Sequence, residues 1–271
     1  MGFAAEELTR DAFLDGRLAL WQPRAGYRAA TDPVLLAAFT PARPGERVLE
    51  LGCGAGTAAL CLARRVPGLE VHGLELQPAY AGLARRNAAE NGLPLEVHEG
   101  DLRRMPAALR RLSFDHVIAN PPFHPPAATP APDAGRDLAH REAAPLSAWI
   151  DAGLRRLGPG GRLVVIHRAA RLGEILAGIG GRAGAVEVLP IASRAGQPAS
   201  RILVRGRKGS RAPLTLCFPL TFHRGSSHEA DGETYTAEVQ GVLRDMAALL
   251  PDARVGGIDA DVGNAKVSGS E

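Results

Sequence analysis

The chain has 271 residues, 45% of them hydrophobic and 23% charged, with a net charge of +3. That composition excludes a disordered or fibrous protein and leaves room for one large domain with a substantial core. Apolar runs fall short of a membrane span, no charged-then-apolar leader opens the chain, and Glu6 spoils a myristoylation signal, so a cytoplasmic protein without a membrane partner is expected.

Strand-like and helix-like runs alternate along most of the length. Arg47–Leu51 is an apolar run ended by glycines, and Ala58–Val66 continues with helical periodicity. Glu70–Leu76 reads as a strand, Ala79–Asn91 as a helix, Leu95–Glu99 and Phe114–Ala119 as strands. Leu146–Leu157 reads as a helix, and Arg162–His167 as a strand opened by the turn Gly158-Pro159-Gly160-Gly161. Arg171–Ile179 is a further helix, and Ala185–Ile191 and Ile202–Arg205 are strands. Such alternation predicts a parallel α/β sheet with helices on both faces. Only Ser193–Ser200 separates the last two strands, too short for a crossover helix, so they should pair antiparallel. Leu214–Phe222 can add a strand and Ala237–Leu250 an amphipathic helix. The 22 residues HPPAATPAPDAGRDLAHREAAP at 124–145 follow a strand's carboxyl end, where open α/β sheets bind their ligands. Cys53, Cys61 and Cys217 make no CxxC pair and no zinc spacing, so they read as reduced core residues and no metal is expected.

The chemistry concentrates at strand ends. VLELGCGAG at 48–56 places Gly52, Gly54 and Gly56 at a strand-to-helix junction, where the backbone can turn tightly and approach a ligand. The spacing is GxGxG rather than the GxGxxG of pyrophosphate sites, and Glu50 adds a negative charge that suits a cationic amino-acid group better than phosphates. Glu75 ends the next strand, where a carboxylate can accept from both ribose hydroxyls, and Asp101 follows the third, where it could accept from an adenine amine. Three carboxylates at the ends of three successive strands point to one ligand.

The order and spacing of these residues resemble the class I S-adenosylmethionine-dependent methyltransferases. The resemblance implies S-adenosylmethionine as cofactor and a Rossmann-like, mostly parallel seven-stranded sheet with an antiparallel last strand and helices on both faces. It also places the methionine part at the Glu50–Gly56 turn, the ribose at Glu75 and the adenine at Asp101. The run IANPPF at 118–123 narrows the likeness, because Asn-Pro-Pro-Phe/Tyr marks enzymes that methylate planar, conjugated nitrogens. The lone pair of such a nitrogen is delocalised. If the Asn120 side-chain oxygen and the Pro121 carbonyl accept its N–H bonds, they aim that lone pair and stabilise the developing cation. Phe123 can stack on a flipped base. No strong base is required before transfer, since the attacking amine is neutral.

Upstream, GYRAATDPVLL at 26–36 places Thr31 and Asp32 as an N-cap and matches a further cofactor motif of adenine-N6 enzymes. With SRAGQPASRILVRGRKG at 193–209, the combination is similar to the bacterial valine-tRNA adenine-N6 methyltransferase family over roughly residues 12–223. The expected reaction is methyl transfer to the N6 amine of a tRNA adenosine. Alternatives are a guanine-N2 rRNA enzyme, a protein-glutamine methyltransferase, or a non-catalytic RNA-interaction protein that binds the cofactor. All but two of the 32 basic residues are arginines, and 194–211 carries six basic residues and no acidic one. Arg194, Arg201, Arg205, Arg207 and Lys208 are therefore expected to contact RNA phosphates, as are His140 and Arg141 on the long loop, with His167 a candidate for the cleft. The expected layout is one methyltransferase domain over 1–250, with a helical, cofactor-capping segment at 1–45, a core sheet at 46–205 and an extension at 206–250, then a flexible tail at 251–271.

Overall fold

The computed structural model describes residues 2–123, 144–225 and 234–249. The tail 251–271 and most of the loop 124–145 lie outside the described residues. The chain opens with a hairpin, β1 (Leu8–Phe13) and β2 (Leu18–Pro23), paired antiparallel from Leu8↔Pro23 to Phe13↔Leu18. A largely helical segment over 1–45 is thus corrected: the α-helix there is α1 (Thr31–Phe39). The reason is local. Leu14, Asp15 and Gly16 adopt φ of +53°, +55° and +79°, a left-handed turn of the kind an Asp-Gly pair favours.

From there strands and helices alternate: β3 (Arg47–Leu51), α2 (Thr57–Arg65), β4 (Glu70–Glu75), α3 (Pro78–Asn91), β5 (Glu96–Glu99), the short α4 (Ala107–Arg110) and β6 (Phe114–Ala119). After the loop come α5 (Leu146–Arg156), β7 (Leu157–Arg168), α6 (Leu172–Ile179), β8 (Ala183–Ala192) and β9 (Ala199–Lys208). Across the sheet the order is β5-β4-β3-β6-β7-β9-β8. The first five run parallel, and β9 is antiparallel to both β7 and β8, as the short connection requires. The expected strand at 214–222 is two short pieces, β10 (Thr215–Leu216) and β11 (Leu220–Thr221), both parallel to β8. The sheet therefore holds nine strands among the described residues rather than seven. The Gly158–Gly161 run does not precede β7 but lies within it, as an irregularity between the pairs Phe114↔Leu157 and His116↔Arg162. The last helix, α7, spans Ala237–Arg244.

Apolar strand residues bury both faces of the sheet. Leu35 and Phe39 of α1, Leu60 of α2 and Val239 of α7 fill one side, and Trp149 and Ile150 of α5 with Ile175 of α6 fill the other. The hairpin is fastened by side-chain amides. Buried Asn87 on α3 accepts from Trp21 N–H (2.8 Å) and donates to the carbonyls of Trp21 (3.0 Å) and Ala55 (2.9 Å), so it ties β2 to the glycine turn with every bond satisfied.

The basic stretch is not the surface patch its charge suggests. Arg205 is buried: it pairs with Glu187, donates to the Phe39 carbonyl (3.0 Å) and lies over the Phe39 ring, 4.8 Å from its centroid. Arg194 is also buried and donates to the carbonyls of Arg224 and Gly225. Both are corrected from RNA contacts to internal ties, since each guanidinium is buried against protein acceptors, although Arg194 Nη2 has no partner among the described residues. Lys208 donates to the Leu157 carbonyl (2.6 Å), and Arg207 is exposed. Truncating Arg205 leaves Glu187 and the Phe39 carbonyl unpaired in a closed environment. Arg205→Ala should lower unfolding free energy in urea by about 3 kcal/mol, whereas Arg207→Ala should leave the urea midpoint unchanged.

Candidate active site

The carboxyl ends of β3, β4, β5 and β6 meet at one cleft of about 280 Å³, closed on one side by the start of α1 and on the other by α5. Its walls bring together Asp32, Glu50, Gly52, Gly54, Glu75, Asp101, Asn120, Pro121, Phe123 and Arg201. Thr31 and Gly56 are not on the wall. His140 and Arg141 lie outside the described residues.

The glycine turn is shaped by contacts on both sides. Gly52, Gly54 and Gly56 have φ of +64°, +55° and +85°, a region L side chains rarely adopt. A Cβ on Gly52 would sit 2.6 Å from the Trp149 ring, so α5 presses its indole against the turn. Gly56 acts one step back: it caps α2 and packs against Leu95, where a Cβ would come within 3.0 Å.

Three buried carboxyls face this turn. Glu75 accepts Gly54 N–H through one oxygen and Gln77 N–H through the other, both at 2.8 Å. Burial nonetheless raises its pKa above the ordinary value. Glu50 accepts Ala59 N–H at 2.8 Å, and burial, with the charge of Glu75 adding, pushes its pKa up to about 8. Asp32 is buried at the head of α1, where one oxygen lies 3.1 Å from Arg201 Nε and the other has no hydrogen-bond partner among the described residues. Its pKa is raised by burial and held back by Arg201. Such a set of under-compensated carboxyls favours a cationic ligand and repels a phosphate. The ammonium and sulfonium groups of S-adenosylmethionine fit it.

Asp101 is more committed than its sequence position suggests. It caps the turn Leu102–Arg104 by accepting Arg103 N–H (2.8 Å), and the Arg103 guanidinium bonds the same carboxylate at 2.6 Å and holds its pKa down. A second acceptor role there must share these lone pairs. Apolar walls that sequence reasoning missed stand next to each carboxylate. Leu76 follows Glu75 and is 45% exposed, and Leu102 follows Asp101, so both are placed to contact a flat ring in the cleft. The signal lay in the sequence as an apolar residue directly after each strand-terminal acid.

The NPPF run leaves β6 with its amide held. Asn120 Nδ2 donates to Tyr27 Oη at 3.2 Å, which leaves the amide oxygen available as an acceptor among the described residues. Tyr27 is in turn gripped by Tyr80, whose hydroxyl accepts Tyr27 N–H at 3.1 Å. Tyr27, from the stretch GYRAATDPVLL, thus joins the site. Phe123 meets the His167 ring edge-on at 5.3 Å and carries Arg168 at 5.8 Å from its centroid. His167 is buried, and its Nδ1 accepts Arg168 N–H at 2.8 Å. Burial, with Arg171 adding, lowers its pKa to about 4, so the neutral ring packs edge-on against Phe123 and is a weak proton acceptor.

A sheet of this order with a carboxyl-lined cleft at its parallel strand ends defines a class I methyltransferase that uses S-adenosylmethionine. Residues 30–178 match the methyltransferase small domain family. A tRNA1(Val) (adenine(37)-N6)-methyltransferase of Porphyromonas gingivalis is 33% identical over 174 residues, covering 61% of this chain and 68% of that protein. One of the same name from Dickeya chrysanthemi is 28% identical over 229 residues, covering 82% and 88%. The crystal structure of a predicted O-methyltransferase from Agrobacterium tumefaciens superposes with a TM-score of 0.65 at 31% identity, covering 80% of this chain and 98% of that one. The chain belongs to the methyltransferase small domain family. No helix among the described residues is long and apolar enough to cross a membrane.

The raised pKa of Glu50 has a measurable consequence. The native state holds its proton above the unfolded value of 4.5, so in the free protein stability declines as pH rises from about 4.5 to about 8. Binding a cation beside Glu50 requires the carboxylate and expels that proton. Affinity for S-adenosylmethionine should therefore climb by up to roughly tenfold per pH unit below pH 8 and then level off. Isothermal titration across pH 6–9, approximately the range that brackets this pKa, checks the slope, and Glu50→Gln should flatten it.

Proposed function

We propose that the protein methylates the exocyclic N6 amine of an adenosine in tRNA, with the valine tRNA position beside the anticodon as the leading target. The observation that carries this reading is the Asn120 amide, turned by Tyr27 so that its oxygen is an acceptor in the same cleft as Glu50 and Glu75. An acceptor pair made of the Asn120 oxygen and the Pro121 carbonyl selects a nucleophile with two N–H donors, as an exocyclic amine has. The identities with two curated adenine-N6 enzymes support adenine over other amines.

The geometry supports the following roles. Glu50 and Asp32 would hold the cationic amino-acid end of the cofactor, Glu75 would accept from its ribose, and Leu76 and Leu102 would pack its adenine beside Asp101. The bound cofactor supplies an electrophilic methyl group on a sulfonium. Phe123, braced by His167 on its edge and by Arg168 over its face, receives the flipped target base. Asn120 and Pro121 draw the amine's two protons aside, which turns its lone pair toward the methyl and spreads the positive charge that grows on nitrogen. The proton is then lost from the cationic nitrogen to solvent, which demands nothing of neutral His167. Orientation of this kind can supply about 7–11 kcal/mol of the barrier. Of the basic residues, exposed Arg207, Arg201 at the cleft and Arg168 beside Phe123 remain able to meet phosphates.

Asn120→Ala should keep cofactor affinity and lower kcat by about 10²–10³-fold. Tyr27→Phe, which removes only the hydroxyl that orients the amide, should lower kcat roughly fivefold at unchanged cofactor affinity. Single-turnover kinetics with a pre-bound cofactor separates the two effects from binding. The acceptor itself is read by incubating the enzyme with labelled donor and separate tRNA, rRNA and protein fractions, then digesting for mass spectrometry. N6-methyladenosine in tRNA is expected; N2-methylguanosine in rRNA or methylated glutamine would overturn the assignment.

A further inference from the structure

The free edge of the sheet at β5 carries a second group of ionisable side chains, separate from the cleft. His72 on β4 stands directly opposite Glu96 on β5, and His98 is two residues further along the same strand, so all three side chains leave one face of the sheet. His72 Nδ1 lies 3.2 Å from His98 Nε2. Glu96 places one carboxylate oxygen 3.3 Å from His98 Nε2 and the other 3.7 Å from His72 Nδ1. Donor atoms about 2.0–2.1 Å from a tetrahedral ion stand about 3.3–3.4 Å from one another. The His72–His98 and His98–Glu96 edges come close to that spacing, and one ligand atom from each of the three residues lies within 4.8 Å of the others. Among the described residues no other three His, Cys, Asp or Glu ligand atoms come so close.

The surroundings orient the histidines as ligands. Arg47 grips Glu70 through two bonds of 2.7 and 2.8 Å, which holds the carboxylate in place as an acceptor. His72 Nε2 lies 3.0 Å from Glu70 and must carry the proton there, which turns the lone pair of Nδ1 into the triangle. A carboxylate behind an imidazole is the arrangement that fixes metal-bound histidines. Both rings are constrained: they stack 5.5 Å apart at 19°, and His72 also meets Phe114 edge-on. Glu96 is largely exposed and closes the triangle from the solvent side, leaving a fourth position open to water.

We propose that His72, His98 and Glu96 form a binding site for a divalent ion of the zinc class, with Glu70 as the residue that orients His72. Two imidazoles and a carboxylate suit zinc and its neighbours, and are too nitrogen-rich for magnesium or calcium. The ligands are up to 26 residues apart and meet only through strand pairing, which is why cysteine spacing gave no hint of them. The ion would pin the four-residue edge strand β5 to β4, the two strands whose ends present Asp101 and Glu75.

The test uses the untagged full chain, stripped with chelator. Titration with Co²⁺ should produce the visible absorption of a tetrahedral site, and Zn²⁺ should displace it. At about a hundredfold excess over Kd, Zn²⁺ should raise Tm by roughly 5–10 °C and Mg²⁺ should not. His98→Gln and Glu96→Gln, both at the sheet edge, should abolish the band and the shift, while their metal-free Tm reports that they fold. Methyl transfer should proceed in the stripped protein. Absence of the cobalt band in the wild type, or an equal zinc shift in His98→Gln, would overturn the site and leave the cluster as a hydrogen-bonded stitch between strands. Neither result bears on the methyltransferase reading.

Discussion

A single carboxylate, that of Glu75, holds the glycine turn in the shape on which the cleft depends. Its two oxygens take backbone N–H groups from Gly54, on the neighbouring strand's exit, and from Gln77, at the entrance of α3. Turn and helix are thereby locked to one strand end. The cost is a desolvated negative charge, visible in the raised pKa. Burial of a second carboxyl, Glu50, with the charge of Glu75 adding, drives that group to hold a proton until a cation arrives. The site is therefore electrostatically incomplete by construction, and the missing charge is the one a sulfonium amino acid brings.

The acceptor half of the cleft is built on a different principle. Asn120, Pro121 and Phe123 carry no charge, and they are held by neutral neighbours, Tyr27 and His167, apart from Arg168 over Phe123. A delocalised amine is activated by directional acceptors and a flat apolar surface rather than by a base. On the proposed reading the division would match the chemistry of the two partners: one side balancing a cation already present, the other accommodating one that appears during transfer.

Much of this was legible in the residue order. The alternation of runs predicts the parallel sheet, and the eight-residue link at 193–200 predicts the antiparallel pair, because both follow from local chain length. The strand-terminal acids and NPPF stand out because chemistry at a sheet's carboxyl edge needs residue types that a core does not. What failed was the inference from charge to exposure. Arg194 and Arg205 look alike to Arg207 in the sequence, but their acceptors, the carbonyls of Arg224, Gly225 and Phe39, lie far away along the chain. The hairpin at Leu8–Pro23 is signalled only by Asp15-Gly16 at its turn, a weaker mark than the apolar period of the helix that follows. Tyr27 could not have been found, because only the fold brings it to Asn120.

The way the two ends of the described chain meet has a consequence for synthesis. Leu249 N–H donates to the Ala38 carbonyl at 2.9 Å, and α7 buries Val239 and Val242 in the core that α1 shares. More than 200 residues separate those partners. At about 5–20 residues per second, α1 leaves the ribosome roughly 10–40 s before the helix that covers it exists. Through that interval the helix that supplies Asp32 stands with an apolar flank uncovered. The flank of α1 that α7 covers is thus the last part of that core to be closed among the described residues, well after the strands that carry the cleft have emerged.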